Sequence, residues 1–506
     1  MRITNSIITN NTIRNVNINK STLDTLYTQL STGKLIQKAS EDPIISIRAL
    51  RFRAELSELK QYLKKNIPDA RSWMTLTEDA LESVSKMVSD MVTYMDQGAN
   101  GTLDAEAKMT IIKTMKQYRE QIHEDANSTY SGRSIFTGYK TNTDMTFAHT
   151  DTTIKYKITE TFSNKDLDQV ATISNSVDTN TIAEIQDADM PERHYTYRLR
   201  LSYDKVQEDG LVIKSTDGNG DPAPDITVTK LECRNGKYYD PANPTQEINP
   251  YEEMATDDGT NGTKAYLIAD SGEIVMNKKA YLQLSDATSI STEYTKVGFE
   301  KGELRPEHYF TCTCTTSDGV TKVTEYSSDR QDINYTINFN QTMKVNTEGR
   351  DVFKHSVIRD IDELIDITQK ALDIEEKVNK LKEMQNDSAY EDKQKEIASM
   401  LAAAEKELDF AHDTLKSMYG TGITKFSEYE KVVTAELSDI GARCTRLTLN
   451  ETRLSNQSIS LEELKSINED ADEAETIINL TTAHNTYEAS LSAASKLLST
   501  SLLDYI

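Results

Sequence analysis

Seven histidines, four cysteines and one acidic loop are the residues whose types could carry chemistry, and none is spaced to do so. His123, His149, His194, His308, His355, His412 and His484 stand singly. A zinc hydrolase helix needs two histidines four residues apart. Cys312 and Cys314 share one strand face, but no second ligand pair lies near them, and Cys233 and Cys444 are isolated. Neither a zinc site nor a disulfide scaffold is expected. Asp217-Gly218-Asn219-Gly220-Asp221 is the first half of a calcium loop. Pro222 stands where that loop needs Gly, however, and Val228 where it needs a bidentate Glu, so a polar hairpin turn is expected. There is no Gly-rich phosphate loop and no Gly-x-Ser-x-Gly elbow. No enzyme activity, cofactor or metal is expected.

The ordered feature that remains is apolar. From Ser460 to Ile506 the chain has no Gly and no Pro, and apolar residues recur every three or four positions. Leu461, Leu464, Ile467, Ala471, Ala474 and Ile478 lead into Leu480, Ala483, Tyr487, Leu491, Ala494, Leu498, Leu502 and Tyr505. That spacing predicts one helix with one apolar seam, capped at Ser460 and shifted by a stutter between Ile478 and Leu480. A single seam of this length needs a partner. The other end offers one: Ile3, Ile7, Ile13, Val16, Leu23, Leu26 and Leu30, with Asn, Thr and Ser between them. The two ends should pair. Ile3, Ile7, Val16, Leu23, Leu30, Leu480, Tyr487, Leu491, Leu498 and Leu502 are the expected assembly interface.

Composition agrees with long, thin helices. The chain has 506 residues, a net charge of −25 and only 37% hydrophobic residues. Such an acidic chain repels nucleic acid and anionic membranes, so neither is an expected partner. No run reaches the length of a membrane span, and Met1-Arg2-Ile3-Thr4-Asn5 leads into polar sequence without the apolar core of a cleaved signal peptide.

In chain order, Gly33 should stop the first helix, and Ser40-Glu41-Asp42-Pro43 should start the next. Pro68 should interrupt or kink that helix. The pattern resumes at Trp73, turns at Gly98 to Gly101 and returns through Leu103 to Ala126. From Thr141 the period changes to two, as in Ile154, Tyr156 and Ile158 or Tyr195, Tyr197 and Leu199. Seven of nine prolines lie between Pro191 and Pro306. Asn235-Gly236 and Asp318-Gly319 read as hairpin turns. Helical period returns after Gly349, with a turn expected at Gly420-Thr421-Gly422. The fold class is therefore α+β: a long antiparallel α-helical bundle or coiled coil from both termini, with an inserted mainly-β domain. The expected domains are 1–40 with 460–506 (terminal seam), 41–140 with 349–459 (helical rod) and 141–348 (β insert).

Several motifs resemble the flagellin superfamily. Leu30-Ser31-Thr32-Gly33-Lys34 with Ala39-Ser40-Glu41-Asp42-Pro43 is similar to its N-terminal signature. Ile440-Gly441-Ala442-Arg443 with Arg446-Leu447 and the following seam is similar to its C-terminal one. Within the superfamily, Asn127-Ser128-Thr129-Tyr130-Ser131-Gly132-Arg133-Ser134-Ile135-Phe136-Thr137-Gly138 resembles the hook-associated protein 3 family, which joins hook to filament. Lys344-Val345-Asn346-Thr347 followed by Gly349-Arg350-Asp351-Val352-Phe353 resembles that family's return from its β domain. The resemblance implies a structural flagellar subunit exported through the type III pathway without a cleaved signal. It implies flagellin and hook-associated protein 1 as partners, self-assembly in a ring of about eleven copies, an export chaperone and a place on the extracellular flagellum. A filament-forming flagellin with a β insert, or a displayed adhesin or glycan-binding protein, are the alternatives. Residues 370–420 have no counterpart in the resemblance.

Overall fold

In the computed structural model the first helix, α1 (Asn5–Thr32), stops where Gly33 takes φ +66°. The Gly33 amide bonds the Gln29 carbonyl at 2.8 Å, a left-handed cap that a side chain would strain. The structure describes residues 5–100, 104–207, 210–218, 220–234, 237–260, 262–317, 321–327 and 329–499. Ile3, Leu502, Tyr505 and the expected turn pairs at 235–236 and 318–319 lie outside these residues.

The chain folds as two units. The first comprises residues 1–71, 335–343 and 444–506. After α1, helix α2 (Pro43–Gln61) begins two residues later than the expected Ser40 start. Asp42 is the cap, its carboxylate accepting from the amides of Ile44 and Ile45, with Pro43 in the first turn. Pro68 does not break the helical path. A single π-helical turn, Tyr62–Asn66, precedes it, and α3 (Ile67–Asn100) follows directly. The wider turn accommodates the missing donor of the proline.

The second unit holds residues 72–334 and 344–443. Its helical part contains the rest of α3 and α4 (Ala105–Ala126). Trp73, Leu81, Val84, Val88, Met91 and Met95 are buried along α3 at helical spacing. The short pair β1 (Thr129–Tyr130) and β2 (Arg133–Ser134) follows, turned by Ser131 and Gly132 at positive φ. Then come β3 (Asp151–Phe162), β4 (Leu167–Ser174), β5 (Glu192–Arg200), β6 (Val212–Thr216) and β7 (Ile226–Lys230). A small separate sheet is formed by β8 (Glu232–Arg234), β9 (Lys237–Asp240) and β10 (Asn243–Ile248). Helix α5 (Pro250–Thr256), β11 (Ala265–Ile268), β12 (Glu273–Met276), α6 (Lys278–Ser285), β13 (Ser289–Phe299), β14 (Thr311–Ser317) and β15 (Thr321–Tyr326) complete the insert.

The main sheet has ten strands in the order β15-β14-β3-β13-β6-β7-β11-β12-β5-β4, antiparallel except where β11 runs parallel to β7. Every residue of β11 and β12 is buried, because the sheet is covered on both faces. Ala280 and Leu284 of α6 pack with Tyr156, Leu199 and Tyr294 on one face. Met254 packs with Tyr266 and Val275 on the other. Asp217 and Asp221 face each other across the expected turn, whose Asn219 lies outside the described residues. The Asp217 carboxylate accepts from the Asp221 amide at 2.9 Å, and Gly220 has φ +89°.

After the hairpin β16 (Asn334–Asn338) and β17 (Gln341–Lys344), α7 (Gly349–Val352) leads into α8 (His355–Asn386). Helix α9 (Gln394–Glu469) then runs without the expected turn at Gly420 to Gly422. Here glycine serves contact rather than chain reversal: a Cβ on Gly422 would sit 2.8 Å from the Met95 sulfur. The expected start of a final helix at Ser460 is also corrected. Ser460 is inside α9, the break falls at Asp470 to Asp472, and α10 (Glu473–Ser499) starts there. Asp472 caps it, accepting from the Glu475 amide at 3.0 Å.

Residues 370–420, unplaced by sequence, are the far part of the α8–α9 hairpin. They hold the irregular segment 175–191 against a cluster of Val378, Leu381, Met400 and Ala403. The buried Glu407 carboxylate accepts from Ser176 Oγ at 2.6 Å and from the Val177 amide at 3.0 Å. Buried Arg198 on β5 reaches Glu273 at 2.6 Å, Glu363 of α8 at 2.6 Å and Asp168 at 3.1 Å. These partners raise the guanidinium pKa although burial opposes it. Pairing on several sides is what permits a charge at this depth.

Candidate assembly surface

Within the first unit, α1 and α10 pack antiparallel. The side chains turned toward one another fall at strict three-and-four spacing. On α1 they are Thr9, Thr12, Val16, Asn19, Leu23, Leu26 and Leu30, all partly exposed. On α10 they are Thr476, Leu480, Ala483, Tyr487, Ser490 and Ala494. This is a heptad seam filled largely with small or polar groups. Asn19 Nδ2 donates to Ser490 Oγ at 2.6 Å across it. Of the ten expected interface residues, Val16, Leu23, Leu30, Leu480 and Tyr487 meet in the seam. Ile7 and Leu491 do not: both are exposed, Leu491 at 43%. Leu498 belongs to α10, its side chain outside the described set, and Ile3 and Leu502 are outside it altogether. The expected stutter is absent, because the seam passes from Thr476 to Leu480 and leaves Ile477 and Ile478 exposed.

The α1–α10 pair is joined to the rest of the unit at one node. The Leu35 amide bonds the Glu469 carbonyl at 2.9 Å, and the Ala471 amide bonds the Gly33 carbonyl at 3.0 Å. Buried Glu469 accepts two hydrogen bonds from Arg53, at 2.8 and 2.7 Å. Lys34 pairs with Asp470. The hydrogen bond from Arg53 holds the Glu469 carboxyl below the usual range, and that from Lys34 does the same for Asp470. Their contribution is therefore full above about pH 4, the unfolded carboxylate value, and fades as pH falls through the lowered native values. The substitution Glu469→Gln should loosen the node by about 1 kcal/mol. The Leu35 and Ala471 amides should then exchange several-fold faster, and unchanged exchange at both would remove Glu469 from the node.

Beyond the node, α2 runs antiparallel to the end of α9. Lys60 pairs with Glu462 at 2.7 Å, and Asn468 Nδ2 donates to the Ile45 carbonyl at 3.1 Å. Ala49 and Leu56 of α2, and Leu447 and Leu454 of α9, are buried. The opposite faces are apolar too. On α2, Ile44 (65% exposed), Ile47 and Leu50 form an outward stripe. On α9, Leu449 and Ile467 (70% exposed) lie five turns apart on one face. On α1, Ile7 and Ile18 lie three turns apart, opposite the seam, and on α10 Ile477 and Leu491 are two heptads apart. At the hairpin between β16 and β17, Tyr335 Oη donates to Asp69 at 2.7 Å. The turn residue Phe339 is 71% exposed while Ile337 is fully buried. Asn340 at φ +52° is the turn signal that separates them.

Most exposed large apolar side chains among the described residues thus belong to the smaller unit. A surface of this kind is an interaction surface. No helix of the described residues is long and apolar enough to cross a membrane. The two ends of the chain match family models, the bacterial flagellin N-terminal helical region over residues 3–141 and the C-terminal helical region over 423–506. Both ends of the chain are thus similar to the helical regions of bacterial flagellins.

Flagellar hook-associated protein 3 of Escherichia coli K12 is 31% identical over 117 residues, covering 23% of this chain and 36% of that protein. The Salmonella typhimurium protein of the same name is 31% identical over 115 residues, 22% and 36% of the two chains. A flagellin of Clostridium tyrobutyricum is 26% identical over 141 residues, 28% and 37% of the two chains. The chain therefore spans only about a third of the length of these relatives, at 36 to 37%. Among solved structures, the flagellar junction protein of Legionella pneumophila aligns over 84% of this chain and all of its own, at 10% identity and a TM-score of 0.29.

Proposed function

We propose that the chain is a structural, non-catalytic subunit of the bacterial flagellum that joins hook to filament. The observation that carries this reading is the concentration of outward apolar stripes on the helices of a unit whose own seam is already occupied. A monomer has no use for Ile44, Ile47 and Leu50 on one helix and Leu449 and Ile467 on another when both already bury an opposite face. Lateral copies of the same chain supply the cover, as a repeated heterologous interface that closes into a ring. Ile3, Ile7, Val16, Leu23, Leu30, Leu480, Tyr487, Leu491, Leu498 and Leu502 contribute through the terminal helices. The similarity to hook-associated protein 3 supports the junction position, with hook-associated protein 1 and flagellin as neighbours along the axis. Export through the flagellar type III channel, with a chaperone covering the apolar stripes, suits a chain destined for the extracellular flagellum.

Immunogold labelling of intact flagella with antibody to the β insert tests it. A single band at the hook end of each filament is the expected image. Label distributed along the filament would replace the junction reading by that of a filament-forming flagellin.

A further inference from the structure

Three of the seven histidines converge on one connection, the segment 300–310 between β13 and β14. His123 of α4 lies against Gly302, its ring 3.6 Å from where a Cβ would sit. His308 belongs to the segment, and its Nε2 lies 3.1 Å from the Asp144 carbonyl. His355 begins α8 and packs edge-on against Tyr309, with ring centroids 4.4 Å apart. Tyr203 Oη donates to the Leu304 carbonyl at 2.7 Å, which makes His355 Nε2 the donor to Tyr203 Oη at 2.8 Å.

The segment is also stitched by its backbone. Gly302 donates to the Phe147 carbonyl at 2.8 Å, Phe147 to the Glu303 carbonyl at 2.9 Å, and Arg305 to the Met145 carbonyl at 2.9 Å. Tyr309 Oη bonds the Phe353 carbonyl next to α8. The segment thereby holds the ten-stranded sheet to both α4 and α8.

None of the three imidazoles has an anion of its own. Beside His123 stands Arg119, paired with Asp362 at 3.2 Å. Beside His355 stand Arg359 and Lys296, and Lys296 is committed to Asp204 at 2.6 Å and Glu303 at 2.9 Å. Beside His308 stand Lys140 and Arg305. The adjacent Glu307 favours its charged form, but Glu307 already takes Tyr156 Oη at 2.6 Å and Arg305 at 3.1 Å. The Nδ1 of His123 is buried without a hydrogen-bond partner. A second ring proton there would meet no hydrogen-bond acceptor, and the neighbouring Arg119 opposes the charge.

We propose that segment 300–310 is an acid-opened clasp: with neutral imidazoles it fastens the sheet to α4 and α8, and proton uptake by His123, His308 and His355 releases it. Burial pushes His123 and His308 down to about 4 and His355 down to about 3. With the native values lowered, the clasp is fully stable above the ordinary histidine pKa of about 6.5 and weakens as pH falls toward the native values.

Amide hydrogen exchange of the full chain between pH 6.5 and 4.5, corrected for the intrinsic rate, measures the opening of 300–310. Each histidine should steepen the opening constant by up to about tenfold per pH unit. Single replacements His123→Leu, His308→Gln and His355→Phe should each flatten the profile by about that factor, and the triple variant should be nearly pH-independent. A triple variant with the wild-type slope overturns the proposal, as does opening of α3 and α4 at the same pH and rate as the segment. Imidazole NMR of the wild-type chain gives a second readout that needs no variant. The three rings should take up protons together with clasp opening, and rings that titrate while 300–310 stays protected overturn it equally.

Discussion

Cells carrying Leu491→Asp should secrete this subunit normally, fail to assemble it and shed flagellin into the medium. Leu491 is 43% exposed on the flank of α10, beside the seam residues Tyr487 and Ala494 and outside their contact with α1. In the free subunit the new carboxylate stays in water, so monomer stability should change by less than about 0.5 kcal/mol. In an assembled ring the same carboxylate is buried without a partner, at a cost of several kcal/mol per subunit, repeated around the ring. The outcome is close to complete loss of swimming with an unchanged circular dichroism melt of the purified monomer. Leu282→Asp, on a leucine of the insert that is 52% exposed, is the control and should leave motility intact. Wild-type swimming of the Leu491→Asp strain would exclude the outer face of α10 from assembly. A melt lowered by several degrees would instead return Leu491 to the seam.

That experiment bears on what the sequence makes legible. Helix, sheet, helix could be read from the change of apolar period near Thr141 and Gly349. Gly33 and Pro43 marked real boundaries, because a left-handed cap and a first-turn proline are local chemistry. Gly422 misled, because the same residue type also serves where two helices come close, here against Met95, while a Cβ on Gly420 would meet nothing within 4 Å. The terminal seam misled in a more instructive way. Apolar spacing alone implies one stripe, buried within the chain. Instead the inner stripe holds Thr9, Thr12, Asn19 and Ser490, while Ile7, Ile18, Ile477 and Leu491 face outward. In a subunit built for assembly the apolar residues are divided between two destinations, and periodicity cannot say which stripe belongs to which. The Arg198 network escaped for a related reason, since its partners Glu273 and Glu363 lie far along the chain.

The dilute monomer should show fast amide exchange along α1 (Asn5–Thr32) and α10 (Glu473–Ser499), outside the node at Leu35 and Ala471. Protection should persist across about 45–130 and 425–455. The composition of the seam is the reason. Among the described residues of α1 none is fully buried, and on α10 only Thr476 and Ala494 are. Ordering a helix costs about 1 to 2 kcal/mol of backbone entropy per residue. An isolated helix pair recovers that mainly through its apolar contact. Val16, Leu23, Leu26, Leu30, Leu480 and Tyr487 are the large residues available, each only partly covered. Asn19 and Ser490 fix the register but contribute little net stability. By contrast, α3 buries Trp73, Leu81, Val84, Val88, Met91 and Met95, enough to hold its helices without neighbours. Lateral copies in a ring would cover Ile7, Ile18, Ile477 and Leu491 and shift the balance toward helix. Exchange measured before and after assembly should therefore differ most at the two ends, by orders of magnitude, and little in α3. Strong protection from Tyr487 through Ala494 in a sample shown by sedimentation to be monomeric would mean that the terminal pair folds alone, and assembly would then have to be driven by the outer stripes without any coupled folding.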